Sequence, residues 1–263
     1  MGELIFIGLG LWGADDITLK GLDAARSADE VYFEAYTSLI GDLTKDSLDN
    51  LIGKNVRFLT RKDVEENVRE LLYRARDKRV AILVPGDPMV ATTHIALRLE
   101  AEKLGVKTRV IHGVSIYSAA PSICGLENYK FGRSVTIPFP EENYFPDTPY
   151  FVVRENVDRG LHTLVFLDVR AEEKRFMTVN EGVAILLKLE RKLSPQEPLL
   201  EKTIMVGVAR AGSKNPTVKA DYPHNLISYD FGSPPHVLIV TGKLHFKEAE
   251  ALRLLAAAPL SAP

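Results

Sequence analysis

The PGDP loop, Pro85-Gly86-Asp87-Pro88, combines residue types that are costly in an ordinary turn. It follows the apolar run VAILV (80–84), which has the pattern of a buried strand. The prolines stiffen the backbone, and Gly86 permits a close approach that other residues forbid. Loops at the carboxyl ends of strands bind ligands in open α/β sheets. We therefore predict a ligand contact here; a rigid turn in which Asp87 caps local N–H groups is the alternative.

A second glycine-rich turn, GLGLWG (8–13), matches the dinucleotide-binding pattern G-x-G-x-x-G, and Glu34 ends the next strand pattern. However, Asp15 and Asp16 stand between these glycines and the following helix, with either one as its expected N-cap. A diphosphate would meet like charges there. We therefore expect a close backbone approach to a ligand without phosphate. An NAD-dependent oxidoreductase is the less favoured alternative.

The third loop, HGVSIYSAA (112–120), follows the strand pattern VKTRVI (106–111). All three loops should lie at one edge of a sheet, and they are rich in small and apolar residues. Such a surface suits a flat apolar heterocycle held by a few backbone hydrogen bonds. It lacks the Lys or Arg of a phosphate-binding loop.

Strand and helix patterns alternate in the first half of the chain, with strands at 4–9, 31–36, 80–84 and 106–111 and helices at 17–28, 63–78 and 93–104. This order predicts a mostly parallel sheet. The second half has strand patterns at 134–138, 163–168, 203–210 and 236–242 and helical patterns near 150–160, 178–192 and 245–257, with a further short helix broken at Pro121.

The fold class is therefore α/β, with two α/β domains at residues 1–113 and 114–263. We expect a mostly parallel first sheet, a mixed second sheet and a ligand in the cleft between the domains.

Composition narrows the possible functions of this chain. The 263 residues carry a net charge of −2, which gives no global field for capturing nucleic acid. Cys124, the single cysteine, cannot form an internal disulfide and is expected to be a buried apolar residue. The six histidines show no metal-binding spacing, so no metal site is predicted. No apolar run could cross a membrane, and we expect a cytoplasmic protein.

Motifs along nearly the whole chain are similar to those of a known family. GLGLWGADDITLKGL (8–22), the PGDP loop and GVSIYSAA (113–120) resemble the tetrapyrrole-methylase class of S-adenosylmethionine-dependent methyltransferases. The diphthine synthase family within that class is the closer match. Its hallmarks here are FEAYTSL (33–39), PGDPMVATTH (85–94), IHGVSIYSA (111–119), YKFGRSVTIPFPE (129–141), RGLHTLVFLD (159–168), ARAGSKNPT (209–217) and FGSPPHVLIV (231–240).

The resemblance implies an interdomain cofactor site, a homodimer and methyl transfer from S-adenosyl-L-methionine, which leaves S-adenosyl-L-homocysteine. The implied acceptor is the 3-amino-3-carboxypropyl-histidine of translation elongation factor 2, whose amine is methylated to give diphthine. The family's cofactor positions carry over to Leu11, Asp87, Val90, Ser115, Ile116, Leu167, Ala211 and His236. A tetrapyrrole or RNA acceptor is the alternative within the class, although the net charge does not favour RNA.

Hydroxyl-rich segments are candidates for the acceptor side of the site, namely Tyr36, Thr37 and Ser38 together with Thr92 and His94. Helix capping is an equally good interpretation of Thr92-Thr93. His94 would either orient the acceptor or lie on a helix surface. For His112 and His162 we expect packing roles, and for His236 the alternative is an imidazole engaged at the start of a strand.

Overall fold

The computed structural model describes residues 2–36, 38, 40–60, 62–63 and 68–261. It divides into two compact units, Met1–Ile116 with Arg170–Lys174 and Tyr117–Val169 with Arg175–Pro263. Each unit has its own five-stranded sheet.

The sheet of the first unit is entirely parallel. Its described strands are β1 (Glu3–Gly8), β2 (Glu30–Glu34), β3 (Arg57–Leu59), β4 (Arg79–Val84) and β5 (Lys107–Ile111), in the order β3-β2-β4-β1-β5. This arrangement confirms the expected parallel sheet. It also aligns the carboxyl ends of β4, β1 and β5, from which the three loops leave.

Helices cover both faces of this sheet. They are α1 (Leu19–Ser27), α2 (Lys45–Ile52), α3 (Val68–Asp77) and α4 (His94–Lys103). Ile5 and Ile7 of β1 pack into the cluster that contains residues of α1 and α2, whereas Leu4 and Phe6 pack into the cluster with residues of α3 and α4. Because both faces are buried, the central strands β1 and β4 are nearly continuous apolar runs rather than alternating ones.

The second unit contains a mixed sheet, as expected. The helix α5 (Ile116–Cys124) precedes it in the chain, and its strands are β6 (Val135–Ile137), β7 (Thr163–Leu167), β10 (Met205–Ala209), β11 (Thr217–Asp221) and β12 (His236–Val240). A separate two-stranded sheet pairs β8 (Val169–Arg170) with β9 (Arg175–Phe176). The five-stranded order is β11-β10-β12-β7-β6, antiparallel except for the β6–β7 pair.

The helices α6 (Thr148–Asp158), α7 (Val179–Leu193), α8 (Pro223–Leu226) and α9 (Phe246–Leu255) complete the regular helical structure of this unit. Val153 of α6 and Leu186 of α7 pack into a core with Val165, Met205 and Leu238 of the sheet. Short 3₁₀ turns lie at Ala14–Asp16, Asn128–Lys130, Ala171–Glu173 and Leu200–Lys202.

The expected break at Pro121 is wrong, because α5 continues through this residue to Cys124. Ala120, Pro121 and Cys124 are buried, so packing offsets the hydrogen bond that a proline cannot make. Among the described helices, none is long and apolar enough to span a bilayer.

Candidate functional site

Three loops meet backbone to backbone at the carboxyl edge of the first sheet. A Cβ on Gly8 would lie 2.5 Å from the amide nitrogen of Gly113 and 2.5 Å from the carbonyl oxygen of Gly86. Gly10 and Gly86 exchange two backbone hydrogen bonds, at 3.3 and 2.7 Å. Both have positive φ angles, 83° and 68°, which glycine adopts without strain. The glycines therefore bring the loops closer together than any side chain would allow.

The carboxylate of Asp16 accepts hydrogen bonds from backbone N–H groups of the GLGLWG turn (8–13), the first of the three loops. Its Oδ2 accepts hydrogen bonds from the backbone N–H of Leu11 at 3.0 Å and of Trp12 at 2.7 Å. The expectation that Asp15 or Asp16 caps α1 is wrong, because Thr18 is the N-cap and its hydroxyl accepts from the N–H of Gly21. The carboxylate of Asp16 thus lies where a dinucleotide diphosphate would need free donors.

The PGDP loop is tied to the third loop through Asp87. One carboxylate oxygen accepts from the N–H of Met89 at 2.9 Å, and the other lies 2.7 Å from Nδ1 of His112. Asp87 is 7% exposed, whereas the side chain of His112 is 74% exposed. The packing role expected for His112 is therefore wrong, since this residue is an exposed partner of a buried carboxylate.

The first-unit positions that the resemblance implies for the cofactor all lie on these loops or within two residues of them. Asp87 is buried, and the half-buried ones are Leu11, Val90, Ser115 and Ile116. Ile116 lies within the third loop segment (112–120), where it is the first residue of α5. The parallel order of the strands explains how positions more than 100 residues apart in sequence come to one edge.

Two side chains of the segment after the PGDP loop contact the carbonyl group of Pro88 in that loop. Thr92 Oγ1 donates to the carbonyl oxygen of Pro88 at 2.7 Å, and His94 Nδ1 lies 3.0 Å from the same oxygen. Thr93 is the N-cap residue of α4, as the capping interpretation of Thr92-Thr93 predicted, although its side chain makes no capping hydrogen bond. His94 is 1% exposed and is not a surface residue.

The remaining acceptor-side candidates follow β2. Tyr36 is 5% exposed and Ser38 is half-buried, while Thr37 lies outside the described residues. The acceptor-side role of Tyr36, Thr37, Ser38, Thr92 and His94 stays a prediction.

Three further positions share one edge of the second sheet. Ala209 pairs with His236, and Phe166 pairs with Val237, so the carboxyl ends of β10 and β7 lie beside the start of β12. Leu167 and Ala211, each 7% exposed, follow these paired positions. Their contact with a cofactor stays a prediction.

The imidazole of His236 is engaged at the start of β12. Its Nδ1 accepts from the N–H of Val179 at 3.2 Å, so Nε2 carries the proton and faces the carbonyl oxygens of Gly232 and Ser233, each at 3.2 Å. Burial lowers the pKa of His236 and favours the neutral ring.

Sequence reasoning missed Arg210, which fixes the same edge. Its Nη1 donates to the carbonyl oxygens of Phe231 at 2.6 Å and Ser233 at 2.9 Å. Its backbone has a φ of 54°, next to a glycine-containing turn. A basic residue inside the motif ARAGSK was the available signal, but its carbonyl partners are 21 and 23 residues away in sequence.

Two other residues have no role at this edge. Cys124 is buried, and burial raises the pKa of its thiol to about 12, which makes it a poor nucleophile. His162 is fully buried and contacts Glu248, which confirms the packing role expected for it. Within the described part of the chain, no group of three His, Cys, Asp or Glu residues could hold a metal ion.

Comparisons with known proteins agree with the geometry of the loops. Residues 3–220 match the family of tetrapyrrole (corrin/porphyrin) methylases. The diphthine synthase of Methanosarcina acetivorans is 49% identical over 97% of both chains, and that of Methanocaldococcus jannaschii is 49% identical over 96% of this chain and 98% of its own. A crystal structure of diphthine synthase has a TM-score of 0.89 at 46% identity, covering 97% of this chain and 96% of that chain. The chain therefore belongs to the tetrapyrrole methylase family, and within it to the diphthine synthases.

Proposed function

We propose that this enzyme methylates the amine of the 3-amino-3-carboxypropyl-histidine of translation elongation factor 2, with S-adenosyl-L-methionine as the methyl donor, in diphthamide biosynthesis. The observation that carries the proposal is the contact of Gly8, Gly86 and Gly113 in a chain so similar to diphthine synthases. Backbone atoms form this contact, and the N–H groups of Leu11 and Trp12 in the first loop are already bound by Asp16.

The residues present fit an adenosyl ligand with a charged amino-acid arm. Asp87 has both carboxylate oxygens oriented by protein donors, and an ionised carboxylate accepts more than one hydrogen bond per oxygen. It can therefore hold the ammonium of that arm as well. Leu11 would contact the ligand through its side chain or carbonyl oxygen, because its N–H is bound by Asp16. Val90, Ser115 and Ile116 complete the first-unit set, and we propose the same ligand for Leu167, Ala211 and His236.

The bound donor supplies a methyl group on a positively charged sulfur. The acceptor nitrogen attacks the methyl carbon as the carbon–sulfur bond breaks, and the electron pair of that bond stays on the sulfur as a thioether. The new ammonium then loses a proton to water. Because this displacement needs no covalent enzyme intermediate, the protein's work is alignment and exclusion of water, and alignment alone lowers a barrier by roughly 7–11 kcal/mol in favourable systems.

The buried carboxylate of Asp87 also suits a cationic donor, because opposite charges attract strongly at a partly desolvated edge. The proposed acceptor-side groups, Tyr36, Ser38 and Thr92, carry hydroxyls that could orient the acceptor arm. No residue is assigned as a general base. The proposed partner is a translation factor, so the proposed site of action is the cytoplasm, and the resemblance leads us to propose a homodimer.

The proposal is tested first by calorimetric titration with S-adenosyl-L-homocysteine, with NAD as the competing ligand. We expect binding of the homocysteine product that is lost in Asp87→Ala and in Gly86→Val, and no binding of NAD. Asp23→Ala, which removes an exposed carboxylate from α1, is the matched control and should bind normally. Binding of NAD instead would overturn the proposal.

The acceptor is tested by transfer of labelled methyl groups. We expect label on elongation factor 2 that carries the 3-amino-3-carboxypropyl arm and none on the unmodified factor. A tetrapyrrole and ribosomal RNA serve as rival acceptors, and labelling of either in preference to the factor would refute the proposed substrate. Light scattering of the purified protein tests the dimer separately.

A further inference from the structure

We propose that His94 is a positioning residue that sets the conformation of the PGDP loop through the carbonyl group of Pro88. The link to methyl transfer rests on the proposed function, whereas the link to the loop rests on the geometry alone. His94 begins α4, is 1% exposed and packs beside Phe6, with ring centroids 5.9 Å apart. A side chain so deeply buried acts on the site through the protein groups that its ring nitrogens contact.

The first partner is the PGDP loop. Nδ1 of His94 lies 3.0 Å from the carbonyl oxygen of Pro88, and a carbonyl can only accept, so Nδ1 carries a proton. The hydroxyl of Thr92 donates to the same oxygen at 2.7 Å. Two donors on one carbonyl fix the peptide plane between Pro88 and Met89, and the N–H of Met89 in this same plane donates to Asp87.

The other nitrogen of His94 faces the neighbouring strand. Nε2 of His94 lies 3.8 Å from Oε2 of Glu34, which ends β2 and is fully buried. The other oxygen of Glu34 accepts from the N–H of Tyr36 at 2.7 Å. This separation is too long for a hydrogen bond, and Nε2 of His94 makes no hydrogen bond to the described residues. His94 thus lies between the end of β2 and the loop that follows β4.

This placement separates a positioning role from an acceptor-binding role. At 1% exposure the ring of His94 does not reach a large protein substrate, but it reaches the backbone of the PGDP loop. The conformation of the PGDP loop then depends on the buried side chain of His94 and not only on the bound ligand. Loss of the Nδ1 bond should loosen the loop even when the fold survives.

The two nitrogens can be replaced separately, which gives a sharp test. The amide of His94→Asn occupies the place of Nδ1 and can still donate to Pro88, whereas that of His94→Gln occupies the place of Nε2 and cannot. We expect His94→Gln to bind S-adenosyl-L-homocysteine about ten-fold more weakly than the wild type, as the loss of one buried hydrogen bond predicts. His94→Asn should stay within about three-fold. His224→Asn replaces an exposed histidine of the second unit. It is the control for the general effect of replacing histidine by asparagine, and it should bind like the wild type.

Hydrogen exchange at the amides of Met89 and Val90 supplies a readout without ligand. We expect faster exchange in His94→Gln than in His94→Asn, with urea unfolding to show that both variants fold. Equal exchange and equal binding in the two variants would overturn the inference and leave His94 as a packing residue. If the wild type bound no S-adenosyl-L-homocysteine, the proposed function would fail, while the exchange rates would still decide the role of His94.

Discussion

Gly8→Ala tests whether the contact between the three loops is the binding surface. The added Cβ would lie 2.5 Å from atoms of both Gly86 and Gly113, and 2.7 Å from the Cα of Gly113. Ordinary carbon contacts begin near 3.5 Å, so the loops must separate by about 1 Å. This separation is costly, because the contacting atoms belong to the backbone and β1 is hydrogen-bonded on both sides, to β4 and to β5.

The expected loss of stability is roughly 1–3 kcal/mol, which is typical of overpacking a close-packed site. The expected loss of function is larger, because a misplacement of about 1 Å can lower the rate of a reaction about 100-fold. We therefore expect a folded enzyme whose kcat/KM for methyl transfer falls by about two orders of magnitude. Calorimetry with S-adenosyl-L-homocysteine should show a matching loss of affinity.

Gly53→Ala provides a control of similar cost at a different place. Gly53 ends α2 with a φ of 74° and has nothing within 4 Å of an added Cβ, so alanine there meets only the conformational penalty of roughly 1–2 kcal/mol. This variant should lose stability and keep its affinity. If Gly8→Ala were to bind and turn over like Gly53→Ala, the loop contact would not be the binding surface and the reasoning would be refuted.

Three other predictions concern buried titratable groups of the second unit. At pH 8 the thiol of Cys124 should react with a disulfide reagent about 1,000-fold more slowly in the native protein than in urea, because burial raises its pKa to about 12. Burial also lowers the pKa of His162 and His236, so these side chains take up protons at a higher pH in the unfolded chain than in the folded one. The free energy of unfolding should therefore fall as the pH drops below about 6.5. Urea unfolding at pH 7.5 and at pH 5.5 measures this change. Burial of Glu248 raises the pKa of its carboxyl group, but the hydrogen bonds that it accepts lower this pKa further, to about 2. The largest of these effects comes from Lys130. The ionised form of Glu248 should stabilise the fold above pH 4.5 and lose that effect as the pH falls towards 2, so Glu248→Gln should cost roughly 3 kcal/mol at pH 7 and much less near pH 2.

The sequence was sufficient for the central strands and for the three loops of the first unit. β1 and β4 are apolar on both faces, and this pattern does not depend on the rest of the chain. The edge strands β3 and β11 were missed for the opposite reason. β3 has only three residues and begins with an exposed arginine, and β11 contains a lysine and ends in an aspartate, so neither has a clear apolar pattern.

The helix α2 was also missed, although its signals were present. Thr44 and Ser47 form a reciprocal capping box, and Gly53 closes the helix in the left-handed conformation. The apolar pattern of this helix is weak, because it has only eight residues and five of them are polar. By contrast, the partners of Asp16 and Asp87 could not have been inferred, because each depends on how a loop folds back on itself or on another strand's loop.

The role of Asp16 also explains why a matching glycine pattern does not make a dinucleotide site. In such a site the helix starts within the glycines, and its free N–H groups meet the diphosphate. Here α1 begins at Leu19, six residues after Gly13, and Asp16 binds the N–H groups of Leu11 and Trp12. Asp16→Asn would remove the negative charge but leave the helix terminus where it is. We therefore expect that variant to gain no affinity for NAD, because the position of the helix, and not only the charge, excludes a diphosphate.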